Sequence, residues 1–293
     1  MMMPMFSASE LIINPDGSIF HLHLLPEMLA DKVILVGDPD RVNMVASFFD
    51  EGSKECDVQN REFHVITGRY KGKRITCLST GIGTDNCDIV MNELDALANI
   101  DFATRTEKEH KRSLEIIRIG TSGGLQDDIP LGTFLVSDKS VGFDGVLAFY
   151  EGRDRLSDLG FETALTDFIH YPKQAARPYI VNSDSELVAR IARDDMMHGC
   201  TIAANGFYGP QGRQLRVGLA VPDINRRIME FNYCGQRITN YEMESSCIAG
   251  LALHMGHKAM TVCCIIAQRK KESANTDYKP RMKELVSTVL ERF

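Results

Sequence analysis

Three short strings of this chain combine glycine with cationic or hydroxyl side chains: Gly37-Asp38-Pro39-Asp40-Arg41, Gly81-Ile82-Gly83-Thr84 and Arg118-Ile119-Gly120-Thr121-Ser122-Gly123-Gly124. Glycine lets backbone N–H groups approach a ligand, and guanidinium and hydroxyl groups complete a cradle for an oxyanion. One such string alone reads most simply as a turn; three together, two of them with arginine, point to a small anion such as inorganic phosphate. No G-x-x-x-x-G-K-[ST] string occurs, and Asn86 stands where the dinucleotide fingerprint asks for a small third residue. ATP and NAD are therefore poor fits.

Two further strings carry different chemistry. Asn240-Tyr241-Glu242-Met243-Glu244-Ser245 places two carboxylates two residues apart, on one face only if the backbone is extended. Such carboxylates can accept hydrogen bonds from the vicinal hydroxyls of a polyol, or can sit at a helix N-terminus where Glu and Ser are favourable. The string alone leaves both open. Phe207-Tyr208-Gly209-Pro210-Gln211-Gly212-Arg213 joins an aromatic face, an amide and a planar guanidinium fork. That set suits a flat heterocycle with two carbonyls and an imide N–H, and a plain surface loop is the simpler alternative.

These strings need a frame that brings them together. Short apolar runs predict strands over 32–37, 114–120, 133–137, 179–181, 201–204 and 259–267, and a hairpin over 62–69 and 74–79. Helical spacing predicts helices from Pro39 through Phe48 and Phe49, and over 85–100, 157–170, 184–197, 223–231, 245–254 and 280–293. The charged stretch 102–113 reads as a solvated loop or a helix end. Alternating strands and helices indicate an α/β fold, a three-layer α/β/α single domain with a central mixed, twisted sheet. In such folds ligands bind outside the carboxyl ends of the strands, where the three glycine strings fall.

The chain has 293 residues, 44% of them hydrophobic, and 33 Lys+Arg against 40 Asp+Glu, a net charge of −7. This excludes disordered, collagen-like and coiled-coil classes and fits one large domain. A net negative chain is a poor partner for nucleic acid, so cations that handle an anion must be gathered locally. The eight cysteines form no C-x-x-C pair and no zinc spacing, which suggests a reduced, cytoplasmic chain with buried thiols. Residues 1–10 lack a basic n-region and an apolar run, and no run of ~20 apolar residues occurs, so neither a secretory signal nor a membrane partner is expected.

Taken in order, the Gly37–Val42, Ser79–Gly83, Arg118–Gly124, Phe207–Arg213 and Asn240–Ser245 strings resemble the nucleoside phosphorylases of the hexameric and dimeric type, and most closely the uridine-cleaving branch. The resemblance runs from about Phe20 onward, leaving 1–19 as an N-terminal extension to a 20–293 domain. It implies phosphate ligands at Gly37, Arg41, Arg118 and Thr121, with Arg61 supplied by a neighbouring subunit. It implies ribose contacts from Met243 and Glu244, with His21 reaching across the same interface, and uracil contacts from Phe207, Gln211 and Arg213. Arg41, Arg118, Gln211, Arg213 and Glu244 would carry catalysis, and the smallest working unit would be a dimer.

The activity so implied is reversible phosphorolysis of uridine to uracil and ribose 1-phosphate, a step of pyrimidine salvage, with phosphate as co-substrate and no cofactor. The alternatives are a broader pyrimidine or deoxynucleoside phosphorylase, a nucleosidase, and a silent nucleoside binder. Purine-cleaving members carry an acid after the late strand, and this chain reads Ile265-Ile266-Ala267-Gln268-Arg269 there. Gln268-Arg269 also replaces an Asn-Arg pair familiar in the family. Some members hold a monovalent cation through a Glu and a Ser; this chain keeps Glu62 and has Asn86 at the Ser position, which leaves a potassium site open.

Overall fold

A computed structural model describes residues 5–271 and 273–293. The strands are β1 (Lys32–Val36), β2 (Cys56–Asn60), β3 (Phe63–Tyr70), β4 (Lys73–Ser79), β5 (Ile100–Asp101), β6 (Thr106–Glu107), β7 (Glu115–Gly124), β8 (Phe134–Gly142), β9 (Tyr179–Asn182), β10 (Met197–Ala203), β11 (Asn232–Tyr233), β12 (Gln236–Glu242), β13 (Lys258–Gln268) and β14 (Ser273–Ala274). The α-helices are α1 (Pro39–Ala46), α2 (Thr84–Asn99), α3 (Arg153–Leu156), α4 (Leu159–Ile169), α5 (Ser185–Ile191), α6 (Ile224–Glu230), α7 (Ser245–Met255) and α8 (Lys279–Arg292).

The three layers follow from period-two alternation. In β1, Val33 and Leu35 point into one apolar cluster with α2 and α7, while Ile34 and Val36 point into another with α1, α5 and α8. Both faces are buried, so the strand reads as one continuous apolar run. The sheet is mixed: β1 runs parallel to β4 and β7, β7 parallel to β13, and β13 antiparallel to β8. Strand β10 pairs in parallel with both β8 and β12. Strand β12 then meets β7, with Asn240 opposite Gly124 and Tyr241 opposite Gly123. That last pairing closes β7, β13, β8, β10 and β12 into a ring. It also brings the end of β12 beside the carboxyl end of β7.

Several local expectations change. The helix expected over 184–197 stops at Ile191, where Arg292 donates to the Ile191 carbonyl at 2.8 Å; Met197 already belongs to β10, paired with Leu135. Helix α1 ends at Ala46, and Phe48 and Phe49 pack from the following turn onto the cluster beneath it. Stretch 102–113 is not simply a solvated loop. Its first part turns back as β6 onto β5, and Arg105, at the tip with φ 56°, donates to the carbonyls of Phe6 and Ser7 at 2.9 and 2.8 Å. The described part of the N-terminal segment thus docks on the body, with Leu11 and Ile19 buried in the core; residues 1–4 lie outside the described residues. Among the thiols, Cys234 is exposed and Cys56 half-buried rather than buried. Among the described residues, no helix is long and apolar enough to cross a membrane.

Candidate active site

A cavity of about 550 Å³ opens where β1, β4, β7 and β13 end and β12 passes into α7. All three glycine strings reach its wall, as do both other strings. The cationic part consists of Arg41 and Arg118. Arg41 sits in the first turn of α1, buried, its Nη1 3.4 Å from the Ile119 carbonyl. Burial, and then the nearby charge of Arg118, pull the Arg41 guanidinium below its ordinary range. Two buried cations that repel one another make a place where an anion gains on entry. Gly37 and Thr121 line the same cavity.

Arg118 lies within β7 and folds back along its own strand. A Cβ on Gly120, two residues on and therefore on the same face, would lie 2.2 Å from Arg118 Nη1, so only glycine leaves room for the guanidinium there. Arg118 is 4% exposed; its Nη1 is 3.1 Å from Glu242 Oε2 and its Nη2 donates to Glu244. Burial opposes its charge, and Glu244 and Glu242 more than offset that, holding the group firmly protonated.

The two carboxylates have different surroundings, one at the start of a helix and the other at the cavity. Glu242 accepts from the Glu244 and Ser245 amides at 2.8 and 3.0 Å and from Ser245 Oγ at 2.6 Å, which caps the start of α7. Glu244 turns toward the cavity, accepting from the Gly83 amide at 2.7 Å and from Arg118. A carboxylate offers about four acceptor positions, so these two donors leave Glu244 with capacity for two more. Burial, and then the neighbouring charge of Glu242, raise its pKa against the pull of Arg118. Met243 lines the cavity beside it.

The turn Gly209–Gln211 brings Gln211, 3% exposed, to the same cavity. Arg213 donates to the Phe207 carbonyl at 2.6 Å and to Gln211 Oε1, with its guanidinium 3.6 Å from the centre of the Phe207 ring. Burial, and then the charge of Arg269, bring the Arg213 guanidinium down to about 10. Ile266 and Ala267 add apolar surface to the cavity lining. Tyr241 and Tyr278 also line the cavity. Tyr241 stood inside a recognised string, whereas Tyr278 precedes α8 with no motif around it.

His21 and Arg61 do not line the cavity. His21 packs edge-on against Phe20 and Phe63, with Nδ1 2.6 Å from Glu93. Arg61 is exposed, at φ 55°, and lies over the Phe20 ring at 5.7 Å. Asn60 ties the two by donating to the His21 carbonyl at 2.8 Å. Near Glu62, the Asn86 amide packs against Gly81, where a Cβ would lie 2.5 Å from Asn86 Nδ2 and 3.3 Å from Glu62 Cγ.

The sequence profile described as "Phosphorylase superfamily" matches residues 31–292. The chain is similar to a uridine phosphorylase of Thermococcus kodakarensis, 27% identical over 268 residues covering 92% of this chain and 84% of that one. It is also similar to a purine nucleoside phosphorylase of Aliivibrio fischeri, 27% identical over 83% of this chain and 84% of that one. A solved structure of a Trypanosoma brucei nucleoside phosphorylase, described as showing uridine phosphorylase activity, superposes with a TM-score of 0.86 at 27% identity, covering 96% of this chain and 98% of that one.

Proposed function

The chain belongs to the phosphorylase superfamily, and from that premise we propose that it is a uridine phosphorylase, converting uridine and inorganic phosphate reversibly to uracil and ribose 1-phosphate. Phosphate, held by Arg41, Arg118, Gly37 and Thr121, attacks C1′ as the bond from C1′ to the base breaks. The bonding pair passes to uracil, and Gln211 and Arg213 meet the negative charge that develops on its oxygens, beside the Phe207 face. Glu244 holds the sugar through its two unused acceptor positions, with Met243 against the ring. No side chain acts as a nucleophile and no cofactor is needed; positioning and charge stabilisation carry the rate.

The choice of a pyrimidine rests on one observation. Gln211 and Arg213 line the cavity together with Ile266 and Ala267, and the end of β13 that supplies those two, Ile265-Ile266-Ala267-Gln268-Arg269, carries no acid to protonate a purine. Hydrolysis is disfavoured because water would bring no negative charge to Arg41, whose buried guanidinium contacts the Ile119 carbonyl and lies near the charge of Arg118. The deciding assay is uracil release from uridine with and without phosphate. Release that depends on phosphate is expected; equal rates would mean a nucleosidase, and binding without release a silent binder. Gln211→Ala is expected to lower kcat/KM for uridine by about 10²-fold, two hydrogen bonds to a charge-bearing base, and to narrow the preference for uridine over inosine. An unchanged preference would remove Gln211 from base recognition.

We further propose that the working unit is at least a dimer, in which the surface cluster of Phe20, His21 and Arg61 completes the partner's site. Arg61→Ala is expected to raise KM for phosphate by about 10- to 100-fold, the worth of a charged hydrogen bond. Co-expressed with Arg118→Ala subunits, it should regain activity, because the mixed dimer holds one intact site. Absence of complementation would mean that each subunit works alone.

A further inference from the structure

The loop that reads the base has little structure of its own. Beyond the single turn at Gly209–Gln211 it runs without regular structure to α6, and Leu215 and Val217 on its outer part are 73% and 75% exposed. Gln211 nevertheless has to be aimed with sub-ångström accuracy if its amide is to discriminate bases. Something else must hold it.

That support comes from α6. Asn225, in its first turn, donates from Nδ2 to the Gln211 carbonyl at 3.1 Å and to the Gly212 carbonyl at 3.0 Å. Its Oδ1 accepts from the Tyr241 hydroxyl at 3.1 Å. The reverse amide orientation would set an oxygen against two carbonyls, so the hydrogen-bond pattern fixes the assignment. The Gln211 carbonyl takes a second donor, Arg269 Nη2, at 3.0 Å. Both anchors stand on rigid elements: Ile224 and Ile228 bury α6 in the core beside Tyr241 of β12, and Arg269 follows directly on β13 with its amide on the Gly124 carbonyl at 3.0 Å. Gly212 is fitted to the arrangement. It adopts φ +63°, and a Cβ there would lie 2.5 Å from Asn225 Nδ2.

We infer that Asn225 is a positioning residue for base recognition, clamping the Gln211–Gly212 backbone to Tyr241 of the same strand that leads into Glu244. This rests on the uridine phosphorylase reading and adds to it a residue that touches neither substrate. The clamp links the base end of the cavity to the sugar end through one side chain, so its loss should be felt at the base and not at the phosphate.

The test is steady-state kinetics of Asn225→Ala and Asn225→Asp, with uracil binding measured by calorimetry. Aspartate keeps the acceptor for Tyr241 but loses both donors, so both variants should fail alike. We expect KM for uridine and Kd for uracil to rise about tenfold, two ordinary hydrogen bonds' worth, with KM for phosphate moving less than about twofold. Gly212→Ala, which keeps Asn225 but crowds its amide, should reproduce that split and serves if the Asn225 variants do not fold. Unchanged uridine and uracil parameters in folded variants would overturn the inference. So would a parallel rise in KM for phosphate, which marks general loosening. Failure of the wild-type chain to release uracil would instead overturn the activity on which the inference rests.

Discussion

Arg118→Ala is expected to lower phosphorolytic kcat/KM by at least about 10³-fold, beyond the effect of a single well-aimed donor, and to destabilise the fold at the same time. The second effect comes from the carboxylates. Arg118 stands between Glu242 and Glu244, all three nearly inaccessible, and removing the cation leaves two buried negative groups facing each other. Breaking a buried pair from one side typically costs about 3–5 kcal/mol. Thermal unfolding read beside kinetics separates the two effects. Arg118→Lys keeps a charge but not the fork that spans both carboxylates, so it should recover much of the stability and little of the activity. Because Nη2 also holds Glu244, the loss should extend to uridine binding, beyond the phosphate defect that the Arg118–Gly124 string alone would suggest. A folded Arg118→Ala enzyme with kcat/KM for phosphate within about threefold of wild type, under the value of one charged hydrogen bond, would remove Arg118 from the site.

The site was legible in the sequence to the extent that its chemistry is local. Arg118 and Gly120 are two residues apart, and the glycine that makes room for the guanidinium is written beside it. The two carboxylates could be seen but not assigned, because whether Glu242 caps a helix or faces a ligand depends on how β12 ends. That is fixed by its pairing with β7, a contact between segments far apart in the chain. The same limit explains Asn225 and Tyr278, which belong to no motif and reach the cavity region only through the packing of α6 and the approach to α8. Strand and helix types followed from period, and boundaries failed where a tertiary hydrogen bond intervened, as when Arg292 takes the carbonyl of Ile191 and ends α5. Charge in the 102–113 stretch suggested solvent, yet Arg105 spends its donors on backbone carbonyls of the N-terminal segment.

Glu244→Gln is the other substitution with a large expected effect, and it tests the sugar assignment. The carboxylate receives Gly83 N–H and Arg118 and has two acceptor positions left. An amide loses the negative charge and keeps one oxygen, so its NH₂ must face either the Gly83 N–H or Arg118, which are both donors, and the hydrogen bonds that the sugar hydroxyls donate to a charged acceptor are weakened or lost. Two hydrogen bonds to a charged acceptor, at about 1.5–3 kcal/mol each, predict a fall in kcat/KM for uridine of about 10²- to 10³-fold or more. The raised pKa of Glu244 sets the pH dependence. A carboxyl with its pKa above the ordinary value near 4.5 takes up its proton at a higher pH than usual, and the protonated form accepts fewer bonds. Wild-type kcat/KM for uridine should therefore fall on the acid side with an inflection above that value, and Glu244→Gln should lack this limb. The penalty of the substitution should also be smaller with 2′-deoxyuridine than with uridine, since one of the lost hydrogen bonds is already missing from that substrate. Equal penalties with both substrates, and an acid limb that survives the substitution, would place the sugar hydroxyls elsewhere in the cavity.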